Sequence, residues 1–265
     1  MSRVLSGVAL LVVAGGAIWL APSSWLLGLA VLVAVLGAVE YGRLCRHLHA
    51  PVSVVLVVVL TAMACAAMAA PDTWVVPALM LTLVTAATPG VLGGRPQPGT
   101  LAAVAATAFA PIYLGLPLGS LASVHAVEGR EAVVVLLLTV VASDTAQYYA
   151  GRALGRRKLA PTLSPKKTVE GAVGGVAGGT AAFLWLSGWW LPEWPWASRL
   201  LLGVLLVVAG IVGDLFESLF KRTAEVKDSS HLIPGHGGVL DRIDALLFAA
   251  PVYFVALRYG GAFAS

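Results

Sequence analysis

The sequence predicts an all-α, polytopic membrane bundle of about nine helices with no soluble domain. Three observations predict it. Of the 265 residues, 59% are hydrophobic and only 11% charged, and the mean hydropathy is +0.90. Soluble domains run at roughly 45–50% apolar and about 25% charged, so a soluble fold could not hide this much apolar surface. Nine spans of about 20 residues each would use roughly 180 and leave about 85 for every loop. The longest separator, 221–243, is too short for an independent domain. Any chemistry must therefore sit on helix ends, short loops and intramembrane polar residues.

The expected spans are 4–20, 24–40, 52–70, 74–91, 100–122, 131–150, 169–189, 200–220 and 244–260. Pro22, Pro51, Pro71 and the Pro96/Pro98 pair separate the first five, as helix-ending residues do. Arg3 ahead of the first apolar run also fits a signal peptide, but Pro22 sits badly after the small-residue site. The second and third spans carry few polar residues and read as scaffold. The sequence thus divides into an N-terminal scaffold of about five spans, 1–122, and a region of candidate chemistry, 123–265, with loops 151–168 and 221–243.

Nine spans put fourteen of the 17 Lys and Arg residues on one side. Basic loops stay cytoplasmic. The N-terminus and the two richest loops are therefore expected inside and the C-terminus outside. The net charge of +4 is then a property of loops, not the footprint of a nucleic-acid partner. Cys45 and Cys65 have no metal-ligand spacing around them and read as inert reduced thiols.

Polar residues crowd the C-terminal half. Span six ends in Ser143-Asp144-Thr145; an acid at membrane depth is costly unless paired or wet, and pairing with Arg152 or a neighbouring helix would explain it as well as function would. The following loop ends in Ser164-Pro165-Lys166-Lys167-Thr168. That run sets cations and hydroxyls at a helix N-terminus, which favours phosphate, although six cations in this loop are also a topology signal. Gly171, Gly174, Gly175, Gly178 and Gly179 open span seven as rows of small residues that permit close helix packing.

Span eight is apolar to Gly213, and then Asp214, Glu217, Ser218 and Lys221 share one helical face. Two acids one turn apart suit a metal ion or an ion pair with the basic loop. The loop continues through Arg222, Lys227, Asp228 and Pro234-Gly235-His236-Gly237-Gly238 to Asp241-Arg242-Ile243-Asp244. Its glycines allow close backbone approach to a ligand. Asp241 alone would read as an N-cap, and His236 alone as a loop hydrogen-bonder. Two carboxylate clusters, four cations and a glycine turn in one loop read as a site.

The run from Ser218 to Asp244, S-x-F-K-R-x4-K-D-x-S-x2-I-P-x-H-G-G-V-x-D-R-I-D, resembles the signature of phosphatidate cytidylyltransferases, with every fixed position filled. The resemblance extends upstream through Ser-Pro-Lys-Lys-Thr to Asp144, and so covers roughly 140–255; before that the chain agrees only in being apolar. Val169 stands where many members have an aromatic residue, and Gln147 where a small one is common.

The resemblance implies that CTP and phosphatidic acid give CDP-diacylglycerol and pyrophosphate, with Mg²⁺ as cofactor and a second cation left open. A lipid phosphate oxygen would attack the α-phosphorus of CTP. That nucleophile is already ionised at neutral pH, so His236 is expected to bind rather than act as a strong base. Asp214 and Asp241 are expected to hold Mg²⁺. Glu217, Asp228 and Asp244 would be further ligands or would orient cations. Lys221, Arg222, Lys227 and Arg242 would bind the triphosphate and the leaving pyrophosphate. Ser164, Lys166, Lys167 and Thr168 would hold phosphate from the other loop, with Ser218, Gly237 and Gly238 lining the nucleotide. Asp144 is the weakest candidate. A homodimer is compatible with the resemblance, and a multi-pass place in the cell (inner) membrane is implied.

Two other readings stay open: a CTP-dependent enzyme acting on a different lipid, and a cation-coupled membrane transporter. The second offers no reason for the Lys/Arg and Gly pattern of the loop.

Overall fold

Every apolar run expected beyond residue 22 forms a helix. The computed structural model describes residues 22–70, 72–93, 97–230, 232 and 237–260, together with 15, 16 and 19. The expected first span, 4–20, lies almost wholly outside the described residues, as does His236. The helices are α1 (Ser23–His47), α2 (Val54–Ala69), α3 (Val75–Leu92), α4 (Thr100–Ala110), α5 (Leu116–Glu128), α6 (Arg130–Leu154), α7 (Val169–Trp190), α8 (Trp196–Thr223) and α9 (Leu240–Tyr259). A π-turn over Pro111–Gly115 joins α4 to α5, so that Thr100–Glu128 runs as one apolar length.

Among the described residues, six of these lengths are long and apolar enough to cross a membrane: α1, α3, Thr100–Glu128, α6, α7 and α8. The nine-span expectation is met by fewer qualifying helices for two physical reasons. Helix α2 has only 16 residues, and α9 opens on Asp241, Arg242 and Asp244. The protein is an all-α, multi-pass membrane protein. Its outer apolar residues are those of a chain solvated by lipid: Met80, Leu83 and Val84 of α3 are all more than 60% exposed.

The chain divides into two compact units, Met1–Ala126 with Phe220–Ile243, and Val127–Leu219 with Asp244–Ser265. In the first, α2 packs on α1 and on the π-turn. A Cβ on Gly115 would stand 2.6 Å from the Thr61 carbonyl, and one on Gly119 would strike the Cys65 carbonyl; small residues here let backbone meet backbone. Tyr41 of α1 donates to the Ala106 carbonyl at 2.9 Å and stacks on Phe220. Both cysteines are buried and unbridged.

In the second unit α7 lies along α6. The glycine row expected to allow this does so. A Cβ on Gly174 would overlap that of Ala150, and one on Gly178 would lie 2.5 Å from that of Ala146. The loop between the two helices is more ordered than the sequence suggests: β1 (Lys158–Ala160) pairs antiparallel with β2 (Ser164–Thr168). Thr168 then caps α7, its hydroxyl accepting from Gly171 N–H at 3.1 Å. Glu170 ties the loop's start, accepting from the N–H groups of Arg156 and Arg157 at 3.0 and 3.1 Å.

Candidate active site

In the second unit, the end of α6, strand β2 and α8 enclose a cavity of about 350 Å³ lined by Asp144, Gln147, Tyr148, Gly151, Arg152, Lys166, Lys167, Thr168 and Asp214. Each wall follows from its element. Along β2, Pro165 and Lys166 are exposed, and burial deepens through Lys167 to Thr168. Lys167 pairs with Asp214 of α8. Asp144, ten residues before the end of α6, stands within electrostatic reach of both. Arg152 is held one turn on, donating to the Tyr148 hydroxyl at 3.2 Å. Three cations thus face two acids around a space large enough for a phosphorylated ligand.

In the same unit, Glu217 of α8 is 1% exposed and shares a hydrogen bond with the carboxyl group of Asp244, which also lies near Asp214. Asp244 accepts from Ala245 N–H at 2.7 Å. Ser218 is half-buried on α8, and Ser164 opens β2.

The signature loop belongs to the first unit. Lys221 pairs with Asp241 Oδ1. The other carboxylate oxygen of Asp241 accepts from Ser229 N–H at 3.0 Å, Ser229 Oγ at 2.8 Å and Gly238 N–H at 2.8 Å. Burial alone would raise its pKa. The Lys221 ammonium and these donors more than reverse that and bring it to about 2; a carboxylate with several donors is held ionised. Asp241 is therefore not an N-cap: the helix begins one residue earlier, and the side chain turns back to grip the loop.

Gly237 and Gly238 are close to protein groups. Gly237 has φ +80°, and a Cβ on it would lie 2.7 Å from Asp241 Oδ2. A Cβ on Gly238 would meet Ser229 Oγ and both oxygens of Glu40. Lys227 and Asp228 are exposed, and Asp228 borders a second cavity of about 480 Å³ with Arg43 and His47 of α1. Arg222 donates to the Val226 carbonyl at 3.4 Å, and Arg242 is exposed on the first turn of α9.

Two acids rise in importance. Asp144 shares the cavity of Lys167 and Asp214, a placement that periodicity along one span could not reveal. Glu40, at the end of a span that reads as scaffold, is 2% exposed and bonded to the signature loop. A lone acid near the end of an apolar run was its signal.

The donor set suits a hard divalent cation. Asp144 and Asp214 stand with Lys167, which pairs with Asp214, while Asp244 lies near Asp214 and shares a hydrogen bond with Glu217. Among the described residues no three His, Cys, Asp or Glu side chains converge as a metal-binding group. Magnesium is commonly held by one or two carboxylates together with substrate phosphates, so the residues present fit it.

The chain is similar to several known proteins. A protein of Escherichia coli (strain K12) named only as uncharacterized protein YnbB is 46% identical over 134 residues, covering 50% of this chain and 45% of the relative. A phosphatidate cytidylyltransferase of Synechocystis is 46% identical over 132 residues, 46% of this chain and 44% of that protein. One from Mycobacterium tuberculosis (strain CDC 1551 / Oshkosh) is 37% identical over 168 residues, 62% of this chain and 51% of that protein. The chain spans about half the length of the curated relatives it matches. The model of the cytidylyltransferase family matches residues 1–260, and the chain therefore belongs to that family.

Proposed function

We propose that the chain is a phosphatidate cytidylyltransferase, joining CTP to phosphatidic acid to give CDP-diacylglycerol and pyrophosphate. The observation that carries this reading is the cavity in which Arg152, Lys166 and Lys167 stand with Asp144 and Asp214. Family membership and the names of the Synechocystis and Mycobacterium relatives support it. Neither a different lipid substrate nor a cation-coupled transporter is favoured by the comparisons.

In this reading, an ionised oxygen of the lipid phosphate forms a bond to the α-phosphorus of CTP. The bond from that phosphorus to the bridging oxygen breaks, and pyrophosphate leaves with the electron pair. Both reactants are anions, so the protein's task is positioning and neutralising charge. Lys166, Lys167 and Arg152 bind phosphate from the β-hairpin side. Lys221, Arg222, Lys227 and Arg242 take the triphosphate and the leaving pyrophosphate. Asp214 and Asp241 are each proposed as Mg²⁺ ligands, with Glu217, Asp228 and Asp244 as supporting groups. When bound, Mg²⁺ offsets the polyphosphate charge.

The loops 151–168 and 221–243 are proposed to face the cytoplasm from the cell membrane. The distribution of tryptophan supports the alternation of spans on which that orientation rests. All eight fall at 19–25, 74 and 185–196, which the alternation of nine spans puts on the side opposite the basic loops, and Trp25, Trp74, Trp189 and Trp196 are exposed. Aromatic residues of this kind settle at the membrane interface.

The test is to incubate the purified chain in detergent with α-labelled CTP and phosphatidic acid, with Mg²⁺ and with EDTA. Labelled CDP-diacylglycerol is expected only with Mg²⁺. No labelled lipid under either condition overturns the reading, and label on a different lipid from a panel reassigns the substrate.

A further inference from the structure

Glu40 is a buried acid to which the proposed reaction gives no role. It lies near the cytoplasmic end expected for α1, 2% exposed, and four donors satisfy it. Ser230 Oγ at 2.5 Å and Val239 N–H at 3.0 Å donate to Oε1, while Leu240 N–H at 2.9 Å and Ser229 Oγ at 3.1 Å donate to Oε2. A carboxylate on an apolar helix is costly unless satisfied. Among the described residues, these four donors all belong to the signature loop and the start of the helix that follows it.

The donors come from both limbs of that loop. Ser229 and Ser230 follow the Lys227-Asp228 pair; Val239 immediately precedes α9, and Leu240 opens it. The first N–H groups of a helix have no partner within it, and a carboxylate there also meets the positive end of the helix dipole. Glu40 thus caps α9 from a different helix while gripping the other limb. Asp241 grips the same two limbs through Ser229 and Gly238. Ser229 Oγ stands between the two carboxylates and has one proton to donate at a time, so the acids are joined through one hydroxyl. Gly238 is the contact that permits this closeness, since a Cβ there would lie 2.5 and 2.6 Å from the Glu40 oxygens.

We propose that Glu40 is a positioning residue: by pinning both limbs of the signature loop to α1, it sets the place of Asp241 and of the Lys221 paired with it. The proposal rests on the cytidylyltransferase reading for its effect on turnover, but the pinning itself is independent of that reading.

The test uses the full chain in detergent with Glu40→Gln, Ser230→Ala and the double variant, and has two arms. In the first, without substrate, trypsin cleavage after Lys227 is followed. Glu40→Gln puts an amide N–H₂ against backbone donors, and cleavage is expected to speed up about ten- to hundredfold, the equivalent of losing a charge-assisted hydrogen bond. In the second, kcat is expected to fall by a similar factor while the KM for CTP stays within about threefold. Ser230→Ala is expected to add less than about threefold in the Glu40→Gln background, because its partner is already lost.

Unchanged cleavage in Glu40→Gln overturns the proposal. So does a change confined to KM, or a fully additive double variant, which is what a merely structural residue would give. Should Glu40→Gln fail to fold, Ser230→Ala alone decides: faster cleavage with lower kcat supports the proposal, and silence in both overturns it. If the wild-type chain turns over no CTP, the cytidylyltransferase reading fails, and the cleavage arm still decides whether Glu40 holds the loop.

Discussion

Lys167, on strand β2, forms an ion pair with Asp214 of α8, and both line one cavity. The lysine neutralises the carboxylate where the proposed site takes a cation and anionic phosphates. Lys167→Met is expected to lower kcat/KM for CTP by at least about a hundredfold, since a phosphate-binding cation and the partner of a partly buried acid are lost together. Stability should fall by roughly 1–3 kcal/mol, read as a lower Tm in detergent. Lys167→Met combined with Asp214→Asn should recover the Tm but not the turnover. Recovery of turnover would make the pair purely structural.

Asp144 is expected to matter more than its isolated position suggests. It stands in reach of Lys167 and Asp214. Asp144→Asn keeps the shape and removes one of the negative charges around the cavity. We expect a loss of at least about tenfold in kcat with little change in Tm, the mark of a group acting on charge in the site. A loss within about threefold would return Asp144 to a packing role.

The α6–α7 contact predicts a steep dependence on side-chain size. Gly178→Ala would bring two Cβ atoms to 2.5 Å and is expected to destabilise by about 1–3 kcal/mol, the usual cost of overpacking. Gly28 of α1 has nothing within 4 Å of an added Cβ. Gly28→Ala should therefore be neutral or slightly stabilising. Thermal unfolding of both variants in one detergent checks the contrast; equal Tm values would rule out close packing at Gly178.

Gly238→Ala and Gly237→Ala should both impair turnover, for different reasons. At Gly238 the added methyl meets Ser229 and Glu40, and at Gly237 it meets Asp241 from a backbone at φ +80°, where a non-glycine residue costs about 1–2 kcal/mol. Glu40→Ala removes one of the two obstacles to the Gly238 methyl, leaving Ser229 Oγ, and removes none from the Gly237 one. Combined with Glu40→Ala, Gly238→Ala should cost less turnover than it does alone, whereas Gly237→Ala should still cost as much as it does alone. Initial rates for the three single and two double variants decide it.

Much of the fold was legible because apolar runs and helices share their limits. Span 169–189 became α7 (Val169–Trp190), and the glycine row named its own packing face. The β-hairpin over 158–168 was not legible, since its few residues read equally as a basic loop. Within the site, Lys167, Asp214, Lys221 and Asp241 stood out as charges beside apolar runs, but their pairing did not, because pairing depends on which helices meet. Glu40 was hidden by the same cause: its partners lie 189 to 200 residues away, beyond any local pattern.

That separation has a consequence for how the protein is made. Leu240 lies 200 residues after Glu40. At roughly 5–20 residues per second, a ribosome needs about 10–40 s to deliver it. Throughout that interval α1 holds a carboxylate whose final donors do not yet exist, and water, a proton or a chaperoning contact must stand in for them. A chain interrupted before residue 239 carries that burden permanently, which makes Glu40 a built-in mark by which an unfinished copy differs from a finished one.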